Sequence, residues 1–138
     1  MRVTEFVRTF PLAMDSTLTE EDLFYFITAP QNLFLEFDQG LTVFENLVPM
    51  RDAKMHFVFW DRKVAEREGM LREVIAYAFE AFKLVRLSAH VPERNRVMWR
   101  MFEKLGFQSE GRVRRAFLAT NNTFHDILLF GLLREEMS

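Results

Sequence analysis

The order of apolar and polar positions divides the chain into alternating strand-like and helix-like stretches. Residues 3–10 alternate loosely and predict a first strand before Pro11. Thr19 followed by Glu20, Glu21 and Asp22 reads as a capped helix start with acids in the first turn, and the helix should run to about Thr28, ahead of Pro30. Residues 33–37 and 41–47 read as a hairpin around Asp38-Gln39-Gly40, with Gly40 expected to supply a positive φ. Residues 55–60 form an apolar, buried-looking strand.

From Met70 the period changes. Met70, Leu71, Val74, Ile75, Ala78, Phe79 and Phe82 fall on one helical face. Val85, Leu87, Ala89 and Val91 then alternate with polar partners as a strand. Asn95 opens a second helix, with Val97, Met98, Met101, Phe102 and Leu105 expected on one face and Gly106 as a left-handed stop. Residues 109–118 and 124–133 read as two strands around the polar turn Thr120-Asn121-Asn122. The order implies an α+β (mixed α/β) domain, a mixed sheet covered by helices.

At 138 residues and 49% hydrophobic content, the expectation is one domain over residues 1–138. A net charge of -2 gives no global pull toward phosphate backbones or anionic membranes, so neither nucleic acid nor membrane is expected as a partner. With no cysteine and three histidines that share no ligand spacing, thiolate chemistry is excluded and no metal site is expected. The early charges at Arg2 and Glu5 and the lack of a long apolar run fit a cytoplasmic protein. Sixteen phenylalanines suit an aromatic core; the alternative is a groove or dimer surface lined by Phe24, Phe26, Phe34 and Phe37.

One combination is more specific. Phe102-Glu103-Lys104-Leu105-Gly106-Phe107 runs into Gln108-Ser109-Glu110-Gly111-Arg112, with Leu87-Ser88-Ala89-His90-Val91-Pro92-Glu93-Arg94-Asn95 upstream and His125-Asp126-Ile127-Leu128-Leu129-Phe130-Gly131-Leu132-Leu133 downstream. As a set these resemble the C-terminal half of the GCN5-related N-acetyltransferase (GNAT) superfamily, in the branch resembling ribosomal-protein alanine acetyltransferases. The resemblance covers about residues 33–136. It implies a mostly antiparallel sheet of six to seven strands in which strands 55–60 and 84–91 splay like a V.

The implied ligand is acetyl-CoA, as acyl donor. Its pantetheine arm would lie along residues 57–61, and its pyrophosphate would sit on the N–H groups of the following loop and helix start. The cofactor-binding residues implied are Phe59, Trp60, Asp61, Arg62, Lys63, Val64, Ala65, Glu66, Arg67, Asn95 and Phe102. Arg62 fits the family's loop pattern, whereas Ala65 and Arg67 stand where small residues are usual and the charges of residues 61–68 cancel. Phe102 occupies the place where many relatives carry a proton-donating Tyr.

Candidate bases for stripping the acceptor amine are His56 and Glu45, with His90 on the second arm. The arginines at 94, 96, 100, 112, 114 and 115 form a basic set that reads as a solvated face, or as contacts to an adenosine phosphate or acidic partner. The function implied is N-acetyl transfer to a small-molecule or protein amine by direct attack in a ternary complex. A second reading is a GNAT-fold binding or scaffold protein, conceivable as a homodimer, that does not use acetyl-CoA.

Overall fold

A computed structural model describes residues 19–60 and 66–137 of the chain, apart from the side chains of Glu20 and Leu23; the strand expected over residues 3–10 lies outside them. The elements are α1 (Glu20–Thr28), β1 (Leu33–Phe37), β2 (Gly40–Val48), β3 (Asp52–Phe59), α2 (Arg67–Phe82), β4 (Arg86–Pro92), α3 (Arg96–Lys104), β5 (Gln108–Leu118) and β6 (Phe124–Leu133), closed by a 3-10 turn at Arg134–Glu136. The six strands form one sheet in the order β1-β2-β3-β4-β6-β5. Every neighbouring pair is antiparallel except β3 with β4.

Local chemistry accounts for most element ends. Thr19 Oγ1 accepts from the Asp22 N–H at 3.1 Å while Asp22 Oδ2 accepts from the Thr19 N–H at 2.9 Å, a complete capping box. Asn95 caps α3 by accepting from the Met98 N–H. At its other end Gly106 has φ +96, its N–H donates to the Glu103 carbonyl, and the Phe107 N–H donates to the Phe102 carbonyl at 3.0 Å. This is a Schellman stop, completed by the Phe102 and Phe107 rings 4.9 Å apart. Asn122, at φ 65, turns the β5–β6 hairpin.

Three expectations need correction. Gly40 does not have a positive φ. It is required because a Cβ there would run into the Val58 carbonyl oxygen and lie 3.0 Å from the Phe37 ring. Val97 is 76% exposed, so the buried stripe of α3 is Met98, Phe102 and Leu105, spaced at four and three residues. Phe24, Phe26, Phe34 and Phe37 do not share one exposed face: Phe24 is exposed, but Phe26 packs on Phe34 and Phe37 on Phe59.

The core lies between the sheet and α2–α3. Leu71, Ile75, Ala78 and Phe79 of α2 and Met98 and Phe102 of α3 are buried together with Met55 and Phe57 of β3, Leu87, Ala89 and Val91 of β4, and Phe130 and Leu132 of β6. The opposite sheet face carries α1 over β1–β3, where Phe26 sits edge-on to His56 at 6.0 Å.

The β3–β4 join is short. Three pairs form, Asp52 with Arg86, Ala53 with Leu87 and Lys54 with Ser88, although β3 continues to Phe59 and β4 to Pro92. The closed end is held by main-chain bonds from Val85 N to Arg51 O (2.8 Å), Met50 N to Phe82 O (2.9 Å) and Arg134 N to Val85 O (3.0 Å). The Arg134 guanidinium adds bonds to the Phe79 and Leu84 carbonyls.

Gly40→Ala should destabilise the fold by about 1–3 kcal/mol, because the obstructing atoms are backbone. Gly69→Ala, with nothing within 4 Å of the added carbon, should instead raise stability by about 0.5 kcal/mol through helix propensity. Urea unfolding of the two variants checks both signs.

Candidate active site

The parallel register fixes which side chains share a face. Lys54 stands level with Ser88, so His56 and His90, each two residues further along diverging arms, point to the same side of the sheet. Glu45 of β2 pairs with Lys54 and brings its carboxylate to that side as well. A β-bulge follows at once, where Asn46 adopts φ 52 and donates its N–H to Asn32 Oδ1. Such a bulge re-aims the side chain beside it.

The result is a compact polar group beside the opening. The His56 Nε2–H donates to Glu45 Oε2 at 2.7 Å, with side chains 14% and 22% exposed. Lys54 Nζ lies 3.9 Å from the other Glu45 oxygen. The hydrogen bond from His56 holds the Glu45 carboxyl below its ordinary value, against the opposing effect of partial burial. His90 lies below the usual imidazole value, chiefly through desolvation and then through the charges of Lys54 and His56. Two candidates that the sequence offered separately, His56 and Glu45, are thus one hydrogen-bonded pair.

The end of β3 is anchored from the other side. The Trp60 N–H donates to the Gln39 carbonyl and its indole Nε1–H to the Asp38 carbonyl at 2.8 Å. Phe59 packs on Phe37 and Phe57, and the Arg67 guanidinium lies 5.0 Å above the Phe59 ring. Asp61, Arg62, Lys63, Val64 and Ala65 are outside the described residues. Glu66 is the N-cap of α2 but makes no side-chain capping bond, while Glu68 in the first turn pairs with Arg72. Asn95 is at the start of α3, after the end of β4. Phe102 is 1% exposed, with its ring 5.3 Å from Phe57 and 6.5 Å from Phe130. It is part of the apolar wall between the helices and β3.

Two members of the basic set, Arg112 and Arg94, are committed within the fold. Arg112 binds Glu93 at 2.7 Å and Asp126 at 2.8 Å, and Arg94 reaches His125. Sequence reasoning missed a second ion pair, at the closed end of the join, Arg86 with Glu110, which is bidentate at 2.8 and 3.1 Å. Its carboxylate lies over Gly131, where an added Cβ would collide with it. The signal was a glycine inside an otherwise apolar strand.

No strand fills the space between the arms among the described residues, so the β4-side groups of the β3 backbone beyond Lys54 have no sheet partner there. An extended ligand with its own amides fits such an edge. The same overall fold occurs in solved structures. The model superimposes on the crystal structure of spermidine N-acetyltransferase from Vibrio cholerae in complex with CoA and spermine, with a TM-score of 0.77 over 98% of this chain and 90% of that one at 16% identity. A Bacillus anthracis acetyltransferase of the GNAT family gives 0.69 over 99% and 93% at 20% identity.

The chain has the GNAT fold. At these identities the structural likeness speaks for the fold alone. In sequence, 87 residues are 31% identical to the Bacillus subtilis (strain 168) protein named "Putative ribosomal N-acetyltransferase YdaF", covering 60% of this chain and 47% of that protein. The chain thus spans about half the length of that curated relative. No family model matches. The splay of the GNAT fold, expected between strands 55–60 and 84–91, is the divergence seen after Lys54 and Ser88. Among the described residues no group of His, Asp and Glu could hold a metal ion, and no helix is long and apolar enough to cross a membrane.

The two lowered groups make stability depend on pH with one sign. A folded-state pKa below the unfolded one means that protonation favours unfolding. The His90 contribution is full above about pH 6.5 and fades below it, and the Glu45 contribution is lost further down, below about pH 4.3. The melting temperature should therefore fall in two stages as pH drops from 7.5 to 3.5. Thermal scans should show the upper stage flattened in His90→Asn and the lower one in Glu45→Gln.

Proposed function

We propose that this chain is an N-acetyltransferase that moves an acetyl group from acetyl-CoA to an amine by direct attack in a ternary complex. The observation that carries the reading is the opening of β3 from β4 after Lys54 and Ser88, with the Glu45–His56 pair at its side. The likeness to acetyltransferases, one of them solved with CoA, supports it.

An acyl thioester supplies an activated carbonyl carbon. The side of β3 that faces away from β2 beyond Lys54 would hold the pantetheine amides, with Phe59 and Trp60 at the outer end. The N-terminus of α2, beginning at Arg67, would present first-turn N–H groups and the positive end of the helix dipole to the pyrophosphate. Together with Asp61, Arg62, Lys63, Val64, Ala65 and Glu66 this segment completes the cofactor side of the proposal, and Asn95 and Phe102 flank it on the α3 side.

Transfer forms one C–N bond and breaks one C–S bond. The acceptor nitrogen must also lose a proton, and the sulfur must gain one. Glu45, kept ionised by its hydrogen bond from His56, gives the pair the negative charge that draws the departing proton. Because His56 is largely covered, that proton travels through a bridging water. Phe102 has no proton to give the thiolate, which takes its own from solvent.

Isothermal calorimetry should show saturable binding of acetyl-CoA at concentrations below about 1 mM. With an acceptor in hand, His56→Gln should lower kcat by about 100-fold while leaving acetyl-CoA binding intact. An absence of calorimetric binding would favour the scaffold reading, and an unchanged kcat would remove His56 from the chemistry.

A further inference from the structure

The acceptor's character is written in the half of the same sheet face that no described helix covers. His90 is exposed on β4 and stands opposite Leu129 of β6, while Pro92 stands opposite Ile127. One strand further out, Gly111 is level with Leu129 and Val113 with Ile127. His90, Leu129, Ile127 and Val113 therefore project to one side. Leu128, pointing to the other side, packs against the core.

This floor is apolar and accessible. Ile127 and Leu129 are partly exposed and Val113 is 44% exposed. Gly111 leaves the edge of Leu129 bare, since even an added Cβ would reach only van der Waals contact with it, at 3.8 Å. The described contacts of α1 reach Phe34 and His56 on the far side of the opening.

The carboxylates on this face are already engaged by partners within the fold. Glu45 is engaged by His56 and Lys54, and Glu110 by both terminal nitrogens of Arg86. Asp52 lies level with Arg86 and acts on the same guanidinium. A polycation entering here would find no unspent carboxylate among these and would meet Lys54 and Arg86. An unpaired charge at a partly desolvated surface is costly, whereas apolar area is favoured.

We infer that the acceptor is a primary amine carried on an uncharged apolar body, and that it is received on the β4–β6–β5 face with its nitrogen beside His90. The inference rests on the acyltransferase reading and adds the substrate class. Arylalkyl amines fit this description, and polyamines do not. The imidazole of His90 supplies a hydrogen-bond acceptor at the head of the floor.

The test is an NMR titration of the full chain, without acetyl-CoA, using phenethylamine and spermidine as probes. The His90 ring signals are identified by their loss in His90→Asn, and the Ile127 and Leu129 methyls are followed alongside. Phenethylamine should shift all three at concentrations at least tenfold lower than spermidine. Val113→Glu, a change at an exposed edge position, should weaken phenethylamine and strengthen spermidine, each by several-fold. Spermidine acting at equal or lower concentration overturns the inference, as do phenethylamine shifts that avoid this face or a Val113→Glu variant that alters neither titration. Acetyl-CoA binding is measured separately, so its absence would remove the acyltransferase reading while phenethylamine shifts at His90 would still support the surface.

Discussion

Three parallel pairs of residues join the two halves of this sheet, and the candidate site exists because there are no more. β1–β2–β3 and β4–β6–β5 are each antiparallel units with long registers. Between them the pairing stops at Lys54 and Ser88. Beyond that point Phe79 of α2 and Phe102 of α3 share the core beneath the sheet with Phe57 of β3. The closed end is correspondingly dense in main-chain bonds around Arg51, Val85 and Arg134. A wedge supported at one end and riveted at the other leaves main-chain groups facing the gap, and such groups need a partner.

The two sides of the sheet do different work. One is an apolar surface buried under two helices, where Phe102 stacks through to Phe130. The other carries Glu45, Lys54, His56 and His90 beside the opening, with Arg86 and Glu110 toward the closed end. Their arrangement in opposite-charge pairs keeps this face near neutrality despite its density of ionisable groups. Neutral ground suits the proposed transfer, whose acceptor would have to become an uncharged amine before it attacks.

Much of the fold was legible in the chain because it rests on local rules. The capping box at Thr19 and Asp22, the cap at Asn95 and the glycine stop at Gly106 involve residues within five positions of one another, and each sits where the sequence placed it. The α2 stripe and the β4 alternation followed from period alone. What misled was equally specific. Gly40 carried the signature of a left-handed turn, but the reason for it lies on β3, eighteen residues away, at the Val58 carbonyl. Val97 matched a helical stripe in composition, yet packing selects a narrower face than the pattern does. The bulges at Asn46 and Arg115, both at positive φ, leave no mark in apolar periodicity, because an inserted residue looks like an ordinary polar position.

The candidate site divides in the same way. By itself the sequence determined residue types, element order and the likeness of residues 102–112 to a known C-terminal half, and these depend on short-range geometry that any chain with this pattern would share. It supplied His56 and Glu45 as separate possibilities on different strands. Only the tertiary structure joined them at 2.7 Å, since their meeting depends on the β2–β3 register and on the bulge that follows Glu45. It alone set where β3 leaves β4, brought Arg86 onto Glu110 across twenty-four residues, and laid His90 beside an open apolar floor. Register is a sum over many long-range contacts, and no single stretch of sequence contains it.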